Sequence, residues 1–299
     1  MKVLVTGGCG FIGSNLSERL VHEGFDVSII DNMHTGNESN ISSFSSKVKL
    51  YRLNSGDLWR TGEKFDVIFH QGVSSSSPMY KDDPQLVSKA VSEWTNILEY
   101  SRKHGSKIVF AATSSIYNGL PPPHREDMQT QVTDFYIEAR YYMERLSKLY
   151  SDLYGVTSVG LRYFSVYGPR ENFKGKYANL VTQFLWDIKA GRSPLVFGDG
   201  MQKRDFTHVS DVVSANLLAM KYNKTDVFNV GAGKSTTIND TIALLNQKLG
   251  TNIKPTYKPN TIKNYVQETL ADTSKAEKSL GFRAKIDLTH GIDLLLKSY

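Results

Sequence analysis

MKVLVTGGCGFIG, residues Met1 to Gly13, decides the fold. The run Val3-Leu4-Val5-Thr6 reads as a buried strand, and the cluster Gly7, Gly8, Gly10 and Gly13 opens an amphipathic helix. A strand that turns into a helix through glycines at this spacing is the signature of dinucleotide binding. One glycine permits the sharp turn, one lets the backbone approach a pyrophosphate, and one lets helix pack close on strand. The helix N-terminus, with Phe11 and Ile12, then presents free N–H groups and a positive dipole end to the phosphates. Glycines also mark ordinary turns, so context matters. A second strand, Val27-Ser28-Ile29-Ile30, supplies it by ending in Asp31, eighteen residues past Gly13. A carboxylate there accepts hydrogen bonds from the adenosine ribose and repels a 2′-phosphate, so NAD rather than NADP is the expected cofactor.

Outward from this motif, short apolar runs alternate with helical stretches. Strands are expected at Lys47–Leu53, Asp66–His70, Lys107–Ala112 and Thr157–Arg162, and helices at Ile12–Glu23, Pro84–His104 and Phe135–Tyr154. This rhythm predicts an α/β fold with a doubly wound parallel sheet. Gly24 and Gly105 sit where left-handed helix C-caps belong. Past Tyr167-Gly168-Pro169 the pattern changes to helix Tyr177–Ala190, loop Phe197–Arg204, helix Asp211–Lys221, strand Val227–Val230 and helix Ile238–Leu249. We expect a Rossmann NAD-binding domain over 1–165 and a smaller C-terminal α/β substrate-binding lobe over 166–299. The short strand near 227–230 is expected to return to the main sheet.

The bulk numbers bound the class. A chain of 299 residues, 40% hydrophobic and 22% charged, has the composition of a globular protein. No apolar run reaches the length of a membrane span, and no signal peptide is expected. The single cysteine, Cys9, excludes an internal disulfide and suits a reducing, cytoplasmic compartment; within the glycine loop it reads as small filler. Net charge is +6, but Lys and Arg are interspersed with Asp and Glu, which argues against a nucleic-acid partner. A doubly negative nucleotide sugar is an acidic partner that such charges suit. No metal is expected.

In open α/β sheets ligands sit beyond the carboxyl ends of the strands. Thr113 follows one such strand, so its hydroxyl can face the crevice. Tyr136 and Arg140 are four apart at the start of a helix and project from one face. A fixed cation favours the phenolate and lowers the barrier to its acting as a base. Alone, Tyr-x-x-x-Arg is an ordinary amphipathic pair.

Further motifs give that pair its meaning. TGGCGFIG (Thr6–Gly13), DN (Asp31-Asn32), GDL (Gly56–Leu58), SSIYNG (Ser114–Gly119), YIEAR…E (Tyr136–Glu144), LRYFSVYGPR (Leu161–Arg170), FGDGMQKRDFTHVSD (Phe197–Asp211) and FNVGAG (Phe228–Gly233) follow in order. In this series the chain resembles the extended short-chain dehydrogenases/reductases of the NAD-dependent epimerase/dehydratase family, above all those acting as UDP-glucose 4-epimerases. The resemblance implies that Asp31 and Asn32 hold the adenosine ribose, and Asp57 with Leu58 the adenine. It makes Thr113 the active-site hydroxyl, Tyr136 the base, and Arg140 the counterpart of the family lysine that binds the nicotinamide ribose and stabilises the tyrosinate. Phe197 matches the residue packing on the nucleobase, Arg204 the arginine gripping the diphosphate, and Asn179 a helix start near the phosphates. A homodimer is implied as well. His70 stands at the family's cofactor turn and reads as structural.

The departures concern the substrate side. Arg140 replaces lysine, and its longer planar fork is not an equivalent. Ser165 replaces an asparagine of the diphosphate region, and a second phosphate-binding arginine is missing, with Lys263 near its place. The family's Asn-Val-x-Gly-Thr is Ala90-Val91-Ser92-Glu93-Trp94 here, which is expected to reshape helix packing. Ser114 and Ser115 stand where dehydratases and decarboxylases of the family carry carboxylates. The expected reaction is therefore NAD-dependent epimerisation of a UDP-hexose, through transient hydride transfer and a keto-sugar. The alternatives are another NAD-dependent conversion of a nucleotide sugar, or a non-catalytic binder if Arg140 marks lost chemistry.

Overall fold

The computed structural model describes residues 1–261 and 266–299. The strands are β1 (Lys2–Thr6), β2 (Asp26–Ile30), β3 (Val48–Tyr51), β4 (Val67–His70), β5 (Lys107–Thr113), β6 (Ser158–Tyr163), β7 (Val166–Tyr167), β8 (Leu195–Phe197), β9 (Lys203–Asp205), β10 (Thr207–His208), β11 (Asp226–Val230), β12 (Ser235–Thr237) and β13 (Thr256–Lys258). The helices are α1 (Phe11–His22), α2 (Ser77–Asp82), α3 (Leu86–His104), α4 (Phe135–Tyr154), α5 (Leu180–Lys189), α6 (Val209–Ala219), α7 (Ile238–Leu249), α8 (Ser274–Leu280) and α9 (Leu288–Leu296). Seven strands form one parallel sheet in the order β11-β6-β5-β4-β1-β2-β3. The strand near 227–230 does join it, in register with β6 from Asp226↔Val159 to Val230↔Tyr163.

Both faces of this sheet are covered, which is why its strands read as near-continuous apolar runs. Side chains alternate between the faces. Val3, Val5, Val109 and Ala111 pack with Leu16 and Leu20 of α1 and Val212 of α6. Leu4, Ile108 and Phe110 pack on the other side with Trp94 of α3 and Met143 of α4. A further cluster joins Val181, Phe184 and Leu185 of α5 to Ile238 and Ile242 of α7 and Ile292 of α9. The order of β1, β4 and β5 in the sheet brings three strand ends side by side: Thr6, His70 and the Ala111–Thr113 stretch.

Several boundaries differ from expectation for local reasons. The helix expected from Tyr177 begins at Leu180, because Asn179 caps it by accepting the Val181 N–H at 3.0 Å. A 3-10 segment, Asn172–Tyr177, precedes it. The region 197–204 is not all loop: its ends pair as β8 with β13 and β9 with β12. The run Ser74-Ser75-Ser76-Ser77 leads straight into α2, which has Pro78 in its first turn.

Candidate active site

Two contiguous clefts open at the carboxyl end of the sheet. The first, about 410 Å³, is lined by Gly7, Gly10, Phe11, Ile12, Gly13, Asp31 and Asn32, and extends to Ser55, Ala90 and Glu93. Its floor is backbone. A Cβ on Gly13 would lie 2.0 Å from the Gly7 carbonyl oxygen, and one on Gly7 (φ +67°) 2.6 Å from Gly72 Cα. A Cβ on Gly10 would meet only the Gly7 oxygen, at 3.2 Å, so its outer side is open to the cleft. α1 starts at once, with its first amides directed there.

Asp31 is 6% exposed, and its carboxylate accepts the Cys9 N–H at 2.9 Å and the Met33 N–H at 2.8 Å. Burial raises its pKa against the opposing pull of these amides. A carboxylate has about four acceptor positions, so capacity for a ribose hydroxyl remains. Asn32 beside it donates to Asn54 Oδ1 at 3.0 Å. Cys9 is fully buried and its thiol is pushed up to about 12, as befits filler. Asp57 and Leu58 do not line this cleft: Asp57 is half-buried and Leu58 lies in the core against Trp94. Any contact from Leu58 to a ligand falls to its main chain.

The second cleft, about 830 Å³, shares Phe11, Ile12, Gln71, Val73 and Lys174 with the first. Thr113, Tyr136, Arg140, Ser165, Asn179 and Arg204 all line it. Thr113 ends β5 and its Oγ1 accepts the Ser115 N–H at 3.1 Å. Tyr136 and Arg140 lie one turn apart on α4, which Asp134 caps through the Ile137 N–H at 2.8 Å. The guanidinium carbon of Arg140 is 5.2 Å from the Tyr136 ring centre. Arg140 is 4% exposed, and its two terminal nitrogens are engaged: one donates to the Ala111 carbonyl, the other to the Ser74 carbonyl at 3.0 Å. Among the described residues no carboxylate pairs with it. Its positive charge therefore acts on the phenol, while its fork belongs to the protein.

Ser165 holds φ +30°, a conformation disfavoured for a non-glycine residue. Arg204 on β9 donates to the Lys203 carbonyl at 2.7 Å. Phe197, 37% exposed at the end of β8, lines neither cleft. Lys263 lies outside the described residues. His70 is buried, bonded through Nδ1 to Thr6 Oγ1 at 2.7 Å and stacked on Trp94; burial, then the Arg140 charge, lowers it to about 3. Trp94 faces the core, with its indole N–H on the Met143 carbonyl at 3.1 Å, so it joins α3 to α4 within the chain.

Two features had no counterpart in the sequence reading. Lys174 lines both clefts with its ammonium 3.2 Å from the wholly buried Glu171, and no motif surrounds it. Behind Tyr136, Arg162 donates to both oxygens of Glu144, at 2.9 and 2.6 Å, and to Tyr117 Oη at 2.7 Å. Tyr117 in turn donates to Asn229 Oδ1 at 2.8 Å. This buried network fixes α4 against β6 and β11. Tyr117, Glu144, Arg162 and Asn229 each lie in a different quoted motif, and their spacing along the chain does not reveal that they meet.

A glycine turn, a carboxylate at the end of β2 and a Thr–Tyr–Arg cluster beside them define a dinucleotide-dependent α/β enzyme. The model of the NAD dependent epimerase/dehydratase family matches residues 3–231, and the chain belongs to that family, with NAD as its cofactor. A Methanocaldococcus jannaschii protein provisionally named a UDP-glucose 4-epimerase is 36% identical, over 97% of this chain and 95% of its own. A UDP-glucuronate 4-epimerase of Thermodesulfobacterium geofontis is 30% identical over 97% and 93%. The crystal structure of Thermotoga maritima UDP-glucose 4-epimerase with UDP-glucose superposes with a TM-score of 0.94 at 30% identity, covering 100% of this chain and 98% of that one.

Proposed function

We propose that this protein interconverts UDP-hexoses epimeric at C4, with UDP-glucose and UDP-galactose as the pair. The observation that carries the reading is the second cleft, which Thr113, Tyr136 and Arg140 line together and which shares Phe11 and Ile12 with the cofactor cleft. Bound NAD supplies a reversible hydride acceptor, so the sugar passes through a ketone with no net redox change. Tyr136 takes the proton of the reacting hydroxyl at its Oη and returns it. Thr113 orients that hydroxyl. Arg140, 5.2 Å from the phenol ring and short of solvent, holds positive charge where the tyrosinate forms.

The cleft's charge favours a diphosphate. Lys81, Arg140, Lys174 and Arg204 line it, against one lining carboxylate among the described residues, Asp134. Asp134 is itself occupied, accepting from Ile137 N–H and, at 2.6 Å, from Ser77 Oγ. Ser114 and Ser115 line the same wall. With no free carboxylate among the described lining residues to serve as a further acid or base, epimerisation is favoured over elimination or decarboxylation. In this reading Arg204 and Asn179 grip the diphosphate, Ser165 borders it, and Phe197 closes on the base from outside the described cleft. The chain divides there into a cofactor part, 1–165, and a substrate part, 166–299, linked through β11. A homodimer through the exposed apolar side chains of α4, Leu149 and Leu153, completes the picture, in a cytoplasmic setting that suits the lone reduced Cys9.

Proton NMR of the anomeric signals tests this, with UDP-galactose and UDP-glucuronate offered separately. Growth of UDP-glucose from UDP-galactose, without accumulating NADH, is expected. Conversion of UDP-glucuronate alone moves the substrate assignment to the uronic acid, and conversion of neither removes it.

A further inference from the structure

Glu93 is the part of the cofactor cleft that the glycine turn and Asp31 leave unexplained. It projects from α3, its side chain only 14% exposed, and lines the cleft together with Ser55 and Asn32. Gly56 admits it: a Cβ on Gly56 would lie 2.9 Å from Glu93 Cα and 3.1 Å from its Cγ. The side chain therefore packs over the 3-10 segment at Ser55–Leu58, where the family resemblance gives Asp57 and Leu58 to the adenine. Glu93 accepts no hydrogen bond from any described residue, and its one ion pair among them is to Lys89, 4.0 Å away.

A carboxylate in such a wall is costly unless something donates to it. Burial pushes Glu93 up to about 7, with Lys89 opposing and Asp57 adding to the rise. Tyr80 of α2 also interacts with it, and Asp31, His34 and Lys174 line the same cleft. The ring nitrogens of adenine are acceptors only. A carboxylate beside one is repelled, whereas a carboxylic acid donates to it.

We propose that Glu93, as the neutral acid, donates a hydrogen bond to a ring nitrogen of the NAD adenine, so that cofactor retention is coupled to a proton. This rests on the proposed family function, with Asp57 and Leu58 of the 3-10 segment beside the adenine. The sign follows from linkage. NAD binding favours the protonated group, so affinity is greatest below neutrality and falls as pH rises and the free acid ionises.

The test uses holoprotein mixed with excess isotopically labelled NAD at pH 6.5 and 8.5, with displacement of the resident cofactor followed by mass spectrometry. Wild type is expected to exchange about tenfold faster at the higher pH, the ceiling being tenfold per pH unit for one linked proton. Glu93→Gln keeps an N–H donor at every pH and should exchange slowly at both. Glu93→Ala should exchange rapidly at both. Exchange by wild type that ignores pH, or a Glu93→Gln protein that keeps the wild-type pH step, overturns the proposal. So does a Glu93→Ala protein that retains NAD as wild type does. A wild type holding no NAD at either pH overturns the cofactor assignment along with it.

Discussion

The two clefts are built from different material. The inner part of the cofactor wall is backbone: Gly7 and Gly13, which admit no Cβ, the amides opening α1, and a carboxylate pinned by two N–H groups. The substrate wall is mostly side chains, carried on α4, α5 and β9 and on the segment around Ser165. Backbone sites tolerate little change, because any side chain collides with main chain that cannot move. Side-chain sites can be rebuilt one residue at a time: Arg140 and Ser165 depart from the family on the substrate wall, and Glu93 on the side-chain part of the cofactor cleft.

Tyr136→Phe tests the substrate wall most severely. Turnover should fall by about 10²–10⁴-fold, the usual span for losing a general base, while bound NAD is unchanged in its absorbance and stoichiometry. A rate within threefold of wild type removes Tyr136 from the mechanism. The scaffold behind it comes next. Glu144→Gln strips the buried Arg162 of its carboxylate and should cost about 3–5 kcal/mol of stability, read by denaturant unfolding. A loss below about 1 kcal/mol would mean that water reaches the pair and that the network does not hold α4.

On the cofactor wall, Gly13→Ala places a Cβ 2.0 Å from the Gly7 carbonyl. It should cost about 1–3 kcal/mol and release NAD on gel filtration. Retention of stoichiometric NAD would show that the turn is more plastic than its contacts indicate. Arg140→Lys should have the smallest effect, a rate change within about tenfold in either direction, because the charge remains near Tyr136 while the bonds to Ala111 and Ser74 are rearranged. Activity appearing only in the lysine variant would identify Arg140 as a mark of lost chemistry.

The same contrast governs what was legible in the sequence. The strand, glycine turn and terminal Asp31 are written in contiguous residues with fixed spacing, and β1, α1 and β2 lie where that pattern puts them. α4 runs over the full expected span, Phe135–Tyr154, because a long amphipathic period is bounded by Asp134 and Gly155. Convergence of Thr113 with Tyr136 depends on β5 and α4 meeting, which the family motifs signalled and periodicity could not. Lys174, the pairing of Glu144 with Arg162, and the commitment of Arg140 to two carbonyls are tertiary facts without local signature. The small strands β8, β9, β12 and β13 were missed because each is only three residues long, too short for alternation to register.

In the proposed function Tyr136 moves the proton of the reacting hydroxyl while the C4 hydride of a UDP-hexose leaves and returns. UDP-galactose deuterated at C4 tests it directly. The expected product is UDP-glucose that keeps its deuterium at C4, with no solvent hydrogen incorporated and no NADH accumulating. Deuterium lost to solvent, or no conversion by protein that demonstrably holds NAD, would contradict it.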